Sequence, residues 1–399
     1  MAKAIEEQIP YLRSSNFLRT WSERQGLACE IEQVGLSTAR SPPRVLHARV
    51  KDVPVRTEKE FASRKKKEPQ DPWLNLLEAG FKVAETVNVV SEWMKSPAPP
   101  QPTPVVKAAP VLPKPVPPFD IQDVPKAMRK VGMPMAARLQ ERWFAGQENY
   151  SRSAPDLRNE IDQNGVHYAP AMVDSTTVKM EWILSFARAK RALGELIQAQ
   201  VRKPEALKAL QSVLAPYRNH QDVLGWNAAH SNFLEYHKKF QFQRQKVNAT
   251  WGQQIAEFLR RSTMAGGVPD DLTGALGSFN LYAAVQYARF EPANSDRAAI
   301  VTHVSVYVRD PYEFSDDQYL GHWSPGHVAV VPAHQAASGK GWLKYPVVEG
   351  SVYDNDSVLY PVTNRDYRDW RQQHGQGGDF MIYTDRLSVR LDSPIRVLL

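Results

Sequence analysis

The stretches SFNLYAAVQYARF (278–290) and AIVTHVSVYVRD (299–310) decide how this chain reads. Both are rich in β-branched and aromatic residues in partial alternation, as strands are. HVAVVP (327–332), SVLYPV (357–362), FMIYTDRLSVRL (380–391) and IRVLL (395–399) read the same way. Upstream the pattern is helical. FDIQDVPKAMRKVGMPMAARLQERWF (119–144) forms two short helical pieces, with Gly132 and Pro134 between them. Residues 171–186 read as a strand passing into helix near Ala187. Residues 187–200 read as helix, and a second helix runs from Pro204 to about Leu214. Residues 232–264 read as one or two long helices, broken by AGGVPDD (265–271). The expected fold is α+β: a helix-rich part over 119–270, then a mainly antiparallel β-rich part over 271–399.

Outward from this body, residues 97–118 hold ten prolines. Proline fixes φ and lacks a donor, so residues 96–118 are expected to be an extended linker. Before it, DPWLNLLEAGFKVAETVNVVSEWMK (71–95) spaces its apolar residues at three and four, as an amphipathic helix does. Trp73, Leu77, Phe81 and Met94 lie on that stripe and are the expected partner-binding residues. The stripe must bury itself on the body, a partner protein or a membrane surface. Few lysines on the polar face argue against the membrane. Residues 1–70 carry 14 Lys+Arg against 9 Asp+Glu, +5 of the chain's +7. They read as a basic, flexible, disordered leader. No aromatics interleave with Arg64–Lys67, which argues against nucleic acid as the partner.

The composition, 42% hydrophobic, supports a folded core. No run approaches the roughly 20 apolar residues of a membrane span. The N-terminal sequence has no apolar signal core, so cytoplasmic synthesis without a signal peptide is expected. The single cysteine, Cys29, leaves no disulfide framework. Signatures of P-loop NTPases, dinucleotide-binding folds, zincins and α/β-hydrolases are absent.

Two constellations carry chemistry. In YVRDPYEFSDDQYLGHW (307–323), Asp310 and Asp317 with His322 could hold a divalent cation or perform acid–base work, and Tyr312 could orient a substrate. The alternative is a well-packed turn. In NRDYRDWRQQHGQGGDFMIYTD (364–385), Arg368, Arg371 and His374 precede a glycine run and Asp379. Basic side chains beside glycine-exposed amides, as at Gly378, suit an anion. The alternative is a glycine cap on a salt-bridged helix. His322, His327 and His334 fit no standard metal spacing, so metal use stays unknown.

Together with residues 119–144, these two motifs resemble an uncharacterised bacterial domain family, one often encoded beside the spike and effector genes of type VI secretion systems. The matching residues include Tyr307, Arg309, Asp310, Tyr312, Phe314, Asp317, Gly321, Trp323, Arg368, Trp370, Arg371, Gly375, Gly378, Asp379 and Asp385. The resemblance implies a cargo effector, an antibacterial toxin, that binds a spike or chaperone, is delivered into recipient cells and is countered by an immunity protein. The resemblance carries no established chemistry; on the residues themselves, the body is expected to be an Asp/His hydrolase. Asp310, Asp317, His322 and His374 would be catalytic, and Tyr312, Arg368, Arg371, Gly378 and Asp379 would hold substrate. The alternatives are a non-catalytic adaptor that loads another effector and a membrane-active toxin.

Overall fold

The computed structural model describes residues 11–15, 20–24, 36–45, 119–247, 269–293, 296–315, 318–329, 347–349 and 358–399. The amphipathic stripe with Trp73, Leu77, Phe81 and Met94, the proline-rich linker and Asp317 lie outside the described residues.

The α-helices are α1 (Val124–Lys130), α2 (Pro134–Ala145), α3 (Ala154–Asn159), α4 (Met180–Leu184), α5 (Ala187–Gln198), α6 (Pro204–Leu214), α7 (Gly225–Ala228), α8 (Phe233–Phe240), α9 (Asp271–Leu276) and α10 (Asn364–His374). The strands are β1 (Tyr11–Ser15), β2 (Thr20–Arg24), β3 (Val173–Asp174), β4 (Asp222–Leu224), β5 (Gln241–Val247), β6 (Phe279–Ala293), β7 (Asp296–Tyr312), β8 (Tyr319–Trp323), β9 (Val328–Ala329), β10 (Val347–Glu349), β11 (Val358–Thr363), β12 (Phe380–Tyr383) and β13 (Leu387–Leu398). The fold is α+β, helices first and a mainly antiparallel sheet after.

The two stretches that open the sequence reading become β6 and β7, an antiparallel pair in register from Leu281↔Val308 to Ala293↔Asp296. Each is long enough to serve two partners on its far edge. β7 pairs with β13 from Ala298 to Val306 and with β12 from Arg309 to Tyr312. β6 pairs with β5 at its start and β4 further on. A register shift between Val285 and Tyr287 bends the pair where its partners change. A second sheet runs β2-β1-β10-β11-β8-β9.

The helices end where local chemistry says they should. α1 and α2 carry proline in the first turn. Because the α2 N-cap is Met133, its free amides are met from outside: Asp271 accepts from Met135 N at 3.0 Å and Ala136 N at 2.9 Å. Asp270 caps α9 and pairs with Arg188.

Two sequence expectations change. Only Val173–Asp174 of the 171–186 stretch is strand, pairing parallel with Met381 and Ile382. The Asp174 carboxylate then accepts from Thr176 N and Thr177 N at 2.9 Å, which turns the chain out of extended geometry. In the 232–264 stretch, helix stops at Phe240 and residues 241–247 are strand β5 on the edge of β6. QFQRQKV consists mostly of helix formers, but buried Phe242 and Val247 need the sheet.

The described part of the leader meets the body. β1 pairs parallel with β10, and residues 36–45 form a strap along Asp120, the 3-10 turn Ile121–Asp123 and the end of α10. Sequence periodicity does not separate this strap from the rest of the leader.

Gly225 opens α7 against the β6 backbone. A Cβ there would sit 2.2 Å from the Val285 carbonyl oxygen. Gly225→Ala is expected to lower stability by about 1–3 kcal/mol, the cost of overpacking a filled site, measured by urea unfolding.

Candidate functional site

α2 presents Trp143, which is fully buried. Its indole nitrogen donates to Asp379 Oδ1 at 2.8 Å. Arg371 Nη1 donates to the same oxygen at 2.9 Å and to the Asn149 carbonyl at 2.9 Å. Asn149 Nδ2 returns a bond to the Asp379 carbonyl at 2.6 Å, while Asp379 N donates to Asn149 O at 2.9 Å. The Arg371 guanidinium also lies over the rings of Tyr150 and Trp143. Burial pushes the Asp379 carboxyl above its ordinary value, and the Arg371 charge and Trp143 bond pull it back. Asp379 and Arg371 are 3% and 5% exposed. Both side chains are thus engaged inside the protein rather than at its surface.

The glycine run is spent in the same way. α10 starts in a Thr363/Asp366 capping box and ends at Gly375, which adopts φ 58°. Gly377 N donates to Gly146 O at 3.0 Å and Gly378 N to Trp143 O at 3.0 Å. At Gly377 (φ 101°) the Trp143 ring occupies the place of a Cβ, and at Gly378 the Gln147 carbonyl does so at 2.2 Å. The amides that could have cradled a ligand hold the end of α2 instead.

The other motif lies against this one. Phe314 stacks on Tyr367 with ring centroids 3.9 Å apart, and Arg368 Nη1 donates to Phe314 O at 3.1 Å. Tyr312 stacks on Phe380 at 5.0 Å. The two sequence constellations are therefore neighbours. Their expected histidines face elsewhere: His322 is fully buried and bonded to the Tyr319 hydroxyl, and His374 bonds the Thr38 carbonyl at 2.7 Å.

Alternation along β7 sends Arg309 and Asp310 to opposite faces. Arg309 is buried and engages Glu160 at 3.0 Å and the Tyr383 hydroxyl at 2.8 Å; Tyr383 in turn donates to Glu160 at 2.6 Å. Glu160 sits at φ 55°, an uncommon conformation for a side-chain-bearing residue. Periodicity in the sequence gives no hint of Glu160, because its role depends on this long-range contact.

Asp310 is different. It is partly buried, and among the described residues no donor reaches its carboxyl. Burial pushes it well above the ordinary carboxylate value, the charge of Glu313 pushes it further, and Arg309 opposes. Burial, with the charges of Asp379 and Glu313, raises the Tyr168 phenol, and Ser151 Oγ lies 2.9 Å from that phenol. Glu313, Tyr168 and Ser151 are thus neighbours of the expected site that sequence reasoning missed. Glu313 was visible in the motif; Tyr168 and Ser151 come from a stretch with no periodic pattern. Among the described residues, no group of three or more His, Cys, Asp or Glu is placed to hold a metal ion.

Two outcomes follow from these environments. Arg371→Met would strand a buried carboxylate and is expected to cost about 3–5 kcal/mol in urea unfolding; adding Asp379→Leu should recover much of that loss. Asp310 behaves oppositely. Its folded pKa lies above its unfolded one, so the folded state binds more protons, and this group's contribution falls as pH rises from the ordinary carboxylate range through the folded value. Asp310→Asn is therefore expected to raise Tm at neutral pH and to change it little below about pH 4, read from paired thermal melts across pH.

No helix among the described residues is long and apolar enough to cross a membrane. No curated protein and no solved structure matches the chain. Residues 119–399, which contain both motifs and the Trp143–Asp379 clasp, match DUF6402, a family of unknown function, and the chain belongs to that family.

Proposed function

We propose that this chain is a type VI secretion cargo, an antibacterial effector whose body performs acid–base hydrolysis with Asp310 and Glu313. The observation that supports the chemistry is the Asp310 carboxyl, partly exposed, held toward its neutral form and met by no donor among the described residues. A carboxyl held toward its protonated form can donate a proton to a leaving oxygen. Glu313 would take a proton from water as that water attacks. Tyr312 and Tyr168 would flank the reacting bond, and Arg368 would hold an anionic group. The substrate class is an ester, phosphoester or glycosidic bond of a recipient cell. The secretion context rests on the likeness of the motif strings to a family encoded beside spike genes, and an immunity protein is the expected antagonist.

A second reading is a non-catalytic adaptor. One observation favours it: Arg371, Asp379, His322 and His374 all spend hydrogen bonds inside the protein. Expression of the full chain in bacterial cytoplasm and, separately, in periplasm distinguishes the two. The effector reading expects growth arrest in one compartment, relieved by Asp310→Asn at equal soluble level. Growth unaffected in both compartments, or arrest that survives Asp310→Asn, would overturn the proposed chemistry.

A further inference from the structure

The strap of residues 36–45 lies outside the family match, yet it is built into the body like one of its own elements. Ser37 N donates to Phe119 O at 2.9 Å and Ile121 N to Ser37 O at 2.9 Å, a parallel bridge to Asp120. Ser37 Oγ and Arg40 N both reach Asp120 Oδ2. The Arg40 guanidinium grips Asp123 with two bonds, at 2.8 and 2.5 Å. Gln122 Nε2 donates to Arg40 O at 2.9 Å. On the other side, Thr38 Oγ1 donates to Gln373 at 2.7 Å, His374 bonds the Thr38 carbonyl and Gln376 Nε2 donates to Pro43 O at 2.8 Å. Leu36 packs on the core.

The strap therefore fixes the chain just before residue 46, and the same bridge fixes it again at Phe119. Ser37 lies opposite Asp120, and the nine residues from Ser37 to Val45 span at most roughly 29 Å. We infer that the strap is a non-covalent clasp, part of the same folded unit as the body, that holds residues 36–45 in place whether or not the chain between Val45 and Phe119 is intact. The contacts of the clasp are backbone bonds, side-chain bonds to carbonyls and to Asp120, and one guanidinium–carboxylate fork, a combination that survives loss of the covalent tether.

The test uses the full chain with a site-specific protease sequence inserted after Lys67. After cleavage and gel filtration in native buffer at micromolar concentration, both pieces should co-elute. Cleaved Arg40→Glu, which sets a carboxylate against Asp120 and Asp123, should lose its N-terminal piece. Hydrogen exchange on the uncut chain supplies a reading independent of cleavage. Peptides covering 36–43 should exchange at least about tenfold more slowly than unprotected chain, and Arg40→Glu should abolish that protection. Separation of the pieces in the unsubstituted chain, unprotected exchange at 36–43, or protection at 36–43 unchanged by Arg40→Glu would each overturn the clasp.

Discussion

The Trp143–Asp379–Arg371 cluster is the constraint on which the rest of the body depends. A carboxylate removed from water costs several kcal/mol unless a cation and further donors meet it. Here an indole N–H and a guanidinium both meet one oxygen of Asp379, and the guanidinium's remaining reach goes to the Asn149 carbonyl. Those three partners come from α2, α10 and the segment between α2 and α3. The end of the first helix pair is thereby fixed to the chain that enters β12. Because β12 pairs with β7, that fixed point sets where Tyr312 and Phe314 emerge. A hydrophobic cluster could stabilise these elements equally well, but directional bonds of this kind also select one register of the glycine turn.

Much of the architecture was legible because punctuation and pattern agreed. Gly132 and Pro134 mark the gap between α1 and α2, and Pro204 starts α6. The β6 and β7 runs are too β-branched and aromatic to be anything else. Reading failed where long-range pairing overrules local preference. QFQRQKV becomes a strand only because β6 offers an edge. The strap could not be seen, since STARSPP has no periodicity and its partners lie more than 80 residues away.

The two motifs were legible as residues, and the structure shows where many of their donors go. Arg, His, Asp and glycine in close succession are what an anion site needs, and they are also what a helix end needs when it must lock onto another helix. Sequence cannot separate these, because the difference is whether acceptors inside the protein consume the donors. Gly377 and Gly378 bond the last turn of α2, and His374 bonds the strap. The adjacency of the two motifs, by contrast, follows from β7 and β12 being neighbours in one sheet.

The aspartates give the sharpest contrast within the described residues. Asp120 caps the turn it starts, Asp174 closes a turn, Asp270 and Asp271 cap two helices, Asp366 completes a capping box and Asp379 holds the clasp. Each returns hydrogen bonds for its desolvation. Asp310 is set into the sheet with like-charged Glu313 for company and returns none among the described residues. A carboxyl in that position lowers stability at neutral pH, and a neutral residue of similar shape would pack there at less cost. Structure alone gives no reason for an acid at position 310. A proton held there for chemistry would be such a reason, since groups that work on a substrate are often the ones the fold holds at a loss.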